Sequence, residues 1–224
     1  LIGVKMAYHG YIPLMESFLK QFDRPTVLEV GVHTGITTFS LVQRLSLLKK
    51  PFLYFGVDVF IRPDVEQTIE SMNLSKDEHL VYLEEENSLV CLPKLIDLGW
   101  KFDLILLDGD HNYYTVSREL PYIKNLMHEK TLLIADDYSG KHSGKDDYYA
   151  DKDEYINNKL ATQRSEANTE IGGVQKSGTN SAINEFLSNN PHLVITKDEQ
   201  LMDNEPVVIC GRSYVKELLE TLGR

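Results

Sequence analysis

Two short clusters of ionisable side chains each follow a run of apolar residues in this chain. They are Asp108, Asp110 and His111 after residues 102–107, and Asp136 and Asp137 after residues 131–135. Each run has the length and composition of a buried strand. Because the carboxyl ends of parallel strands lie at the same edge of a sheet, we expect the two clusters to meet there.

The acids of the two clusters need a counter-charge. Carboxylates held together without one repel each other, which raises their pKa values and costs stability. A divalent cation relieves this repulsion, and oxygen ligands favour Mg²⁺, Ca²⁺ or Mn²⁺. His111 could instead accept a proton near neutral pH, since the ordinary pKa of histidine is about 6.5. Four interpretations stay open: a metal site, a general base, a histidine that only hydrogen-bonds an aspartate or the backbone, and a metal-free site whose acids bind a cofactor or cap helices.

A glycine-containing turn follows the apolar residues 27–30. The pattern Glu29-x-Gly31-x-x-x-Gly35 precedes apolar residues at helical spacing, which predicts a strand, a tight turn and a helix. Glycine lets a ligand approach the backbone and tolerates positive φ, so we expect this turn, including His33, to contact a small polar ligand. The dinucleotide fingerprint G-x-G-x-x-G is not matched. The alternative is a plain strand-to-helix turn with a glycine cap.

Polar residues also end the second and third predicted strands. Asp58 closes residues 52–57, and Asn87 and Ser88 come shortly after residues 79–83. A carboxylate at the position of Asp58 can accept hydrogen bonds from two ribose hydroxyls, and the other two side chains suit an adenine edge. The alternatives are that Asp58 caps the next turn and that Asn87 or Ser88 caps a helix.

Three segments carry a resemblance to one family of enzymes. The Glu29-to-Gly35 pattern resembles the first motif of class I methyltransferases, which use S-adenosylmethionine (SAM). The stretches FDLILLDGDHNYYTVSREL and TLLIADDYSG look like segments of small-molecule O-methyltransferases, including the methyltransferase-24 group and the macrolide sugar O-methyltransferases. The catechol and caffeoyl-coenzyme A enzymes are more distantly similar. The resemblance covers residues 26–139 and resumes at residues 172–174.

The resemblance implies a cofactor, a metal and their ligands. The expected SAM-binding residues are Glu29, Gly31, His33, Gly35, Asp58, Asn87, Ser88 and Asp108. In the relatives, an acid after strand four and an acidic or amide pair after strand five bind a metal that contacts the acceptor hydroxyl. Carried over by position, these are Asp108, Asp136 and Asp137, holding Mg²⁺ or else Mn²⁺ or Ca²⁺. His111 matches no residue of the catechol-type enzymes, so its catalytic role beside Asp108 rests on its chemistry.

Strand and helix patterns alternate along most of the chain. They predict a single α/β domain over residues 1–224, with a Rossmann-like, seven-stranded, mostly parallel sheet, an antiparallel C-terminal strand and helices on both faces. Residues 192–196 and 206–210 are too close for a helical crossover and should pair antiparallel. A dinucleotide oxidoreductase would continue with strand–helix units instead. An N-terminal helical segment, residues 1–24, with a helix over residues 15–21, should precede the first strand.

Residues 138–172 interrupt the alternation with a polar, charged stretch. A structureless loop of this length is improbable in a compact domain unless it is functional or disordered. Tyr148, Tyr149 and Tyr155 give it means to dock, and residues 151–163 could form a helix. We favour a substrate lid over the alternatives, which are a disordered insertion and an oligomer contact such as that of a homodimer.

Composition limits the partners and the compartment. The formal net charge of −11 argues against a nucleic-acid substrate, which requires a cationic face. The sequence contains no apolar run of membrane-spanning length and does not open with a leader, so we expect neither a membrane partner nor secretion. Cys91 and Cys210 are isolated, which fits a reducing cytoplasm.

These features predict a SAM-dependent O-methyltransferase that acts on a small hydroxylated acceptor, of sugar or natural-product type, with assistance from a divalent metal. Two alternatives stay open. The first is an oxidoreductase that binds NAD or a nucleotide sugar, and the second is a non-catalytic module that binds SAM.

Overall fold

The computed structural model describes residues 9–75, 77–153, 155, 159–171, 176–196 and 206–222. The strands in these ranges are β1 Thr26–Val30, β2 Phe52–Asp58, β3 His79–Glu85, β4 Phe102–Leu107, β5 Met127–Ala135, β6 Leu193–Ile195 and β7 Val207–Gly211. They form one sheet in the order β3-β2-β1-β4-β5-β7-β6. Strands β1 to β5 pair in parallel, and β7 lies antiparallel between β5 and β6. The predicted fold class is confirmed.

Helices cover both faces of the sheet. They are α1 Ile12–Leu19, α2 Ile36–Leu47, α3 Pro63–Ser71, α4 Ser88–Asp97, α5 Tyr113–Leu126, α6 Arg164–Ile171, α7 Gly178–Ser188 and α8 Val215–Thr221. Successive strand residues point to opposite faces. Leu104 of β4 therefore packs with α1, α2 and α8, whereas Ile105 packs with α4, α5 and α7. Strands buried on both faces explain the continuous apolar runs in the sequence.

Several predicted boundaries differ from the structure. Of the helix expected over residues 151–163, residues 154 and 156–158 lie outside the described residues. The described ones are not α-helical: they contain only the end of a short 3₁₀-helix, Tyr149–Asp151, and α6 begins after them. Residues 148, 150, 155 and 161 are each buried, but their spacing does not make one helical face. Met127, which continued the spacing of α5, starts β5 instead.

The expected N-terminal helical segment is described from residue 9. Its helix α1 begins at Ile12, earlier than predicted, because Pro13 fits the first turn of a helix. Residues 1–8 and 172–174, which also carried predictions, lie outside the described residues. Among those described, no helix is both long and apolar enough to cross a membrane.

Glu29 is a buried acid in the central strand β1. Glu29 is only 2% exposed. Its Oε2 accepts a hydrogen bond from the Thr38 hydroxyl and another, at 2.7 Å, from the Tyr54 hydroxyl. Burial raises the pKa of Glu29 to about 8, although both hydrogen bonds lower it. Glu29 thus links α2 and β2 beneath the glycine-containing turn.

Replacing Glu29 by Gln should change how stability depends on pH. The raised pKa means that folding favours the protonated acid, so its contribution is full below the unfolded pKa near 4.5 and is lost as pH rises to about 8. Glutamine cannot ionise. We expect Glu29→Gln to be more stable than the wild type by on the order of a few kcal/mol at alkaline pH, and similar in stability at acid pH.

Urea unfolding at pH 5 and pH 8.5 measures this difference. Glu66→Gln, which changes an exposed acid on α3, is the matched control and should behave like the wild type at both values. An equal loss of stability with pH in Glu29→Gln and the wild type would contradict the prediction.

Candidate functional site

A cavity lies at the carboxyl ends of β1, β2 and β4. The space between its walls is about 550 Å³, part of which is open to solvent. Its walls are formed by Val30, Gly31, His33, Val57, Asp58, Val59, Glu86, Asn87, Ser88, Asp108, Gly109, Asp110, Thr115, Tyr149, Tyr155, Ala161 and Thr162. Six of the eight expected cofactor residues are therefore at this cavity. The other two, Glu29 and Gly35, lie outside its lining.

The turn after β1 is packed against the end of β4. Gly31 has a φ of +96°, and a Cβ there would lie 2.0 Å from the carbonyl oxygen of Asp108. Gly35 has a φ of +71° and begins α2, with Phe39 2.8 Å from where its Cβ would be. Both glycines are thus required by the protein's own packing, in addition to any role towards a ligand.

Asp58 holds this turn in place. Its Oδ2 accepts hydrogen bonds from the backbone N–H groups of Val32 and His33, both at 2.8 Å. Its Oδ1 accepts a weaker hydrogen bond from the Phe60 N–H at 3.2 Å. The carboxylate therefore caps the turn after β1, contacts the next turn through Phe60, and also faces the cavity, so the two interpretations of Asp58 are compatible. Binding of a ribose by Asp58 stays a prediction.

Asn87 and Ser88 begin helix α4 at the cavity wall. The Asn87 Oδ1 accepts a hydrogen bond from the Leu89 N–H at 2.8 Å, so Asn87 is the N-cap residue. Its amide nitrogen donates to the carbonyl oxygen of Leu160 at 2.6 Å. The Ser88 hydroxyl donates to the carboxyl group of Glu119 at 2.5 Å. The capping alternative is present, and contact with adenine stays a prediction.

The two ionisable clusters of the sequence meet beside this cavity, at the ends of β4 and β5. Asn112 caps α5 through the Thr115 N–H and fixes the turn that precedes it. Ligand atoms of Asp108, His111 and Asp136 lie within 4.8 Å of one another. Asp136 is 7% exposed, and its Oδ1 has no hydrogen-bond partner in the described part of the chain. This arrangement can hold a cation or a proton.

The converging groups include His111 and not Asp137, and metal binding by the three predicted aspartates stays a prediction. The Nε2 of His111 lies 3.3 Å from Oδ1 of Asp108, and its Nδ1 lies 2.5 Å from Oδ2 of Asp137. Asp137 has a φ of +50°, a left-handed conformation that aspartate tolerates better than most residues. In this conformation its carboxylate contacts the imidazole.

Electrostatics in the cluster follow from burial and proximity. Burial and the charge of Asp108 raise the pKa of Asp136 to about 8. Burial alone would lower the pKa of His111, but hydrogen bonds and charges of Asp108 and Asp137 raise it well above its ordinary value. The same contact lowers the pKa of Asp137 despite its burial. The surroundings therefore favour a protonated Asp136 and a positively charged His111 beside an ionised Asp137.

Sequence reasoning placed Asp110 in the first cluster without naming it as a site residue, and it did not identify Glu119. Asp110 lines the cavity and accepts a hydrogen bond from the Thr115 hydroxyl at 2.7 Å, and burial raises its pKa. Glu119 is fully buried on α5, and burial raises its pKa to about 7. The sequence did contain a signal for each residue. Asp110 lies between Asp108 and His111, and Glu119 lies next to the apolar positions Val116 and Leu120 of the predicted helix.

The insertion covers the cavity. Tyr149 and Tyr155 line the cavity, and their ring centroids lie 5.6 Å apart. The ring of Tyr149 is also 5.7 Å from that of His111, and the ring of Tyr155 is 6.3 Å from that of Phe60. The Asp147 N–H donates to the carbonyl oxygen of His111 at 2.9 Å. The insertion therefore packs directly over the ionisable cluster, and its action as a lid stays a prediction.

The family of this chain is indicated by a match to one family model. The methyltransferase-24 model, described as a methyltransferase domain, matches residues 28–138. The matched region runs from β1 through Asp137 and includes the glycine-containing turn and both ionisable clusters. Residues 28–138 therefore carry a methyltransferase domain. The match favours this class over the oxidoreductase alternative. No curated protein matches the sequence significantly.

Solved structures share the fold of this methyltransferase domain. An O-methyltransferase from Bacillus cereus with S-adenosylhomocysteine (SAH) is 15% identical, with a TM-score of 0.55 over 94% of this chain and 83% of that one. The SAH-bound methyltransferase PaMTH1 from Podospora anserina is 13% identical, with a TM-score of 0.51 over 93% and 80%.

A third related structure is MycE, a methyltransferase from the mycinamycin biosynthetic pathway, in complex with Mg, SAH and mycinamycin VI. It is 12% identical, with a TM-score of 0.53 over 94% of this chain. This chain spans only 50% of MycE and 48% of a SAM-dependent methyltransferase from Agrobacterium tumefaciens. At such identities the likenesses concern the fold.

Removing the charge of Asp58 should weaken SAM binding. If Asp58 accepts hydrogen bonds from the ribose hydroxyls, Asp58→Asn should lower the affinity for SAM by about 10- to 100-fold, the effect of a charged hydrogen-bond partner. Isothermal titration calorimetry measures this, with NAD as the competing cofactor that should not bind. Asp64→Asn, at an exposed ion pair on α3, is the control. Unchanged affinity in Asp58→Asn would limit Asp58 to capping the turn.

Ligands should protect the insertion from proteolysis if it acts as a lid. Lys141, Lys145 and Arg164 are exposed sites for trypsin in this segment. We expect cleavage there to slow when SAM and an acceptor are bound, because ordered backbone resists nicking. Cleavage at exposed Lys49, outside the insertion, is the internal control. Equal rates with and without ligands would contradict a lid.

Proposed function

We propose that this domain transfers the methyl group of SAM to a hydroxyl of a small molecule, of sugar or natural-product type. The observation that carries the proposal is the position of Asp108. It lines the cavity of the expected cofactor residues and also lies 3.3 Å from His111 in the ionisable cluster. A methyl donor in the cavity therefore has proton-accepting groups directly beside it.

The cavity offers suitable partners for each part of SAM. The turn at Gly31 would contact the amino-acid end, Asp58 would accept hydrogen bonds from the ribose, and Asn87 and Ser88 would contact the adenine. Asp110, which also lines the cavity, adds a further polar group near Ser88 and α5. Except for these groups, the walls are mostly apolar, as is usual for small-molecule sites.

Methyl transfer needs alignment and removal of one proton. The acceptor oxygen attacks the methyl carbon in line with the sulfur, so a carbon–oxygen bond forms as the carbon–sulfur bond breaks. The sulfonium becomes the neutral thioether of SAH, and the hydroxyl proton leaves. Holding donor and acceptor in this geometry is the main contribution of the protein. The cluster beside Asp108 is where the proton would be accepted.

Two routes for the proton are compatible with the cluster. His111 can accept it directly when its Nε2 carries a lone pair. Alternatively, Asp108, His111 and Asp136 would hold a divalent cation, which lowers the pKa of a bound hydroxyl. The residues fit a cation, because the Oδ1 of buried Asp136 has no partner among the described residues and three potential ligand atoms converge.

The acceptor class is supported by the relatives and by the insertion. MycE was solved with a macrolide, mycinamycin VI, and the Bacillus cereus protein is an O-methyltransferase. In this chain the rings of Phe60, Tyr155 and Tyr149 contact one another in sequence, with Tyr149 next to His111, and such an aromatic group suits the flat or apolar face of a ring-shaped molecule. The net charge of −11 disfavours nucleic acid.

Methyl transfer to a panel of sugars, phenols and macrolides tests the proposal. We expect transfer from SAM to a hydroxyl, loss of transfer in a chelator, and recovery when Mg²⁺ or Mn²⁺ is added. Asp136→Asn should lower turnover by about tenfold or more with little change in SAM affinity, because Asp136 serves the acceptor. Asp97→Asn, on the exposed surface of α4, should match the wild type.

The outcomes separate the alternatives. Activity that persists in the chelator, with normal turnover of Asp136→Asn, would exclude the metal and leave His111 as the base. SAM binding without transfer to any acceptor would favour the non-catalytic module.

A further inference from the structure

We propose that His111 binds a divalent metal through Nε2, that Asp137 positions its imidazole, and that the site therefore prefers a transition metal to Mg²⁺. The inference rests on the metal-assisted form of the proposed function and specifies its ligands. It differs from the all-oxygen set, Asp108, Asp136 and Asp137, that the sequence predicted.

The first argument is the direction of the His111 ring. Its Nδ1 lies 2.5 Å from the Asp137 carboxylate, whereas its Nε2 is turned towards Asp108, at 3.3 Å. A neutral imidazole whose Nδ1–H donates to a carboxylate has its lone pair on Nε2, and a cation bound there takes the place of the proton of the charged ring. That lone pair lies on the same side as the Asp108 oxygen, where a cation can be shared.

The second argument is that Asp136 completes the same set of atoms. Potential ligand atoms of Asp108, His111 and Asp136 all lie within 4.8 Å of one another, so a single ion can contact the three. Asp136 is more than nine-tenths buried, and its Oδ1 has no partner among the described residues. A buried carboxylate oxygen without a partner is costly, and a bound cation would satisfy it.

The third argument concerns Asp137. Its left-handed backbone, with φ at +50°, presents the carboxylate to His111, and its Oδ2 is already engaged there. Histidines that bind metals commonly donate their other N–H to a carboxylate, which fixes the tautomer and the ring orientation. Asp137 matches this positioning role, and the position of its carboxylate explains why it does not join the three converging groups.

The mixed ligand set has a consequence for metal choice. Carboxylate-only sites suit Mg²⁺ and Ca²⁺, whereas an imidazole nitrogen favours transition metals, whose affinity rises from Mn²⁺ to Co²⁺ and Ni²⁺. We therefore expect the metal-stripped protein to bind Mn²⁺ and Co²⁺ about tenfold or more tightly than Mg²⁺ or Ca²⁺.

Metal binding can be measured on the full chain without any acceptor. Calorimetry with each cation gives the order of affinity, and pulsed electron paramagnetic resonance of the Mn²⁺-loaded wild type detects a directly bound imidazole nitrogen. We expect a nitrogen coupling in the wild type. Equal affinity for Mg²⁺ and Mn²⁺, or a Mn²⁺ spectrum without nitrogen coupling, would overturn the inference.

Variants then separate the ligand from its positioning residue. His111→Gln should remove the nitrogen coupling and lower Mn²⁺ affinity by about 10- to 100-fold, with a smaller effect on Mg²⁺. Asp137→Asn should keep the nitrogen coupling but weaken Mn²⁺ binding by about tenfold. His192→Gln, at an exposed histidine next to β6, is the control and should match the wild type. Circular dichroism and SAM affinity report whether each variant is folded.

Other outcomes point to different arrangements. If Asp137→Asn abolishes Mn²⁺ binding while His111→Gln binds normally, the three aspartates are the ligands and the inference is wrong. If the wild type binds no cation, the inference also fails, whereas methyl transfer in a chelator would still support the proposed O-methyltransferase. Failure of the two proposals is thus distinguishable.

Discussion

The close approach of β1 and β4 at their carboxyl ends is the constraint on which the site depends. A Cβ at position 31 would lie 2.0 Å from the carbonyl oxygen of Asp108, so only glycine allows the two strand ends to come together. The turn that faces the cavity and the acid that begins the cluster are consequently neighbours through backbone contact. Asp58, from β2, then fixes the turn by two hydrogen bonds to its N–H groups.

Buried or half-buried acids lie near this contact, and each is stabilised differently. Glu29 accepts hydrogen bonds from two hydroxyls, Glu119 accepts one from Ser88, and Asp137 contacts His111. Asp136 and Glu119 each have one oxygen without a partner among the described residues. Asp136 differs from Glu119 in its neighbours, because it lies beside Asp108 and His111, where a proton or a cation can be shared.

The sequence predicted the sheet better than the details of the site. Apolar runs that end in polar residues indicated the strands, because buried parallel strands are apolar on both faces. The position of Asp137 could not be predicted in this way. Two adjacent acids after β5 read as equivalent ligands, and only the left-handed backbone at Asp137 directs its carboxylate to His111. The expected helix in the insertion was not found in its described residues, where Tyr149 and Tyr155 line the cavity and Tyr148 packs separately with Tyr114 and Ala167.

The hydrogen bond between the Asp147 N–H and the His111 carbonyl connects the insertion to the ionisable cluster. At 2.9 Å it joins the backbone of the covering segment to the residue at the centre of the cluster. If the insertion moves as a lid, its departure from the cavity would break this hydrogen bond. Exclusion of water from the cavity and restraint of the His111 backbone would then occur in the same step.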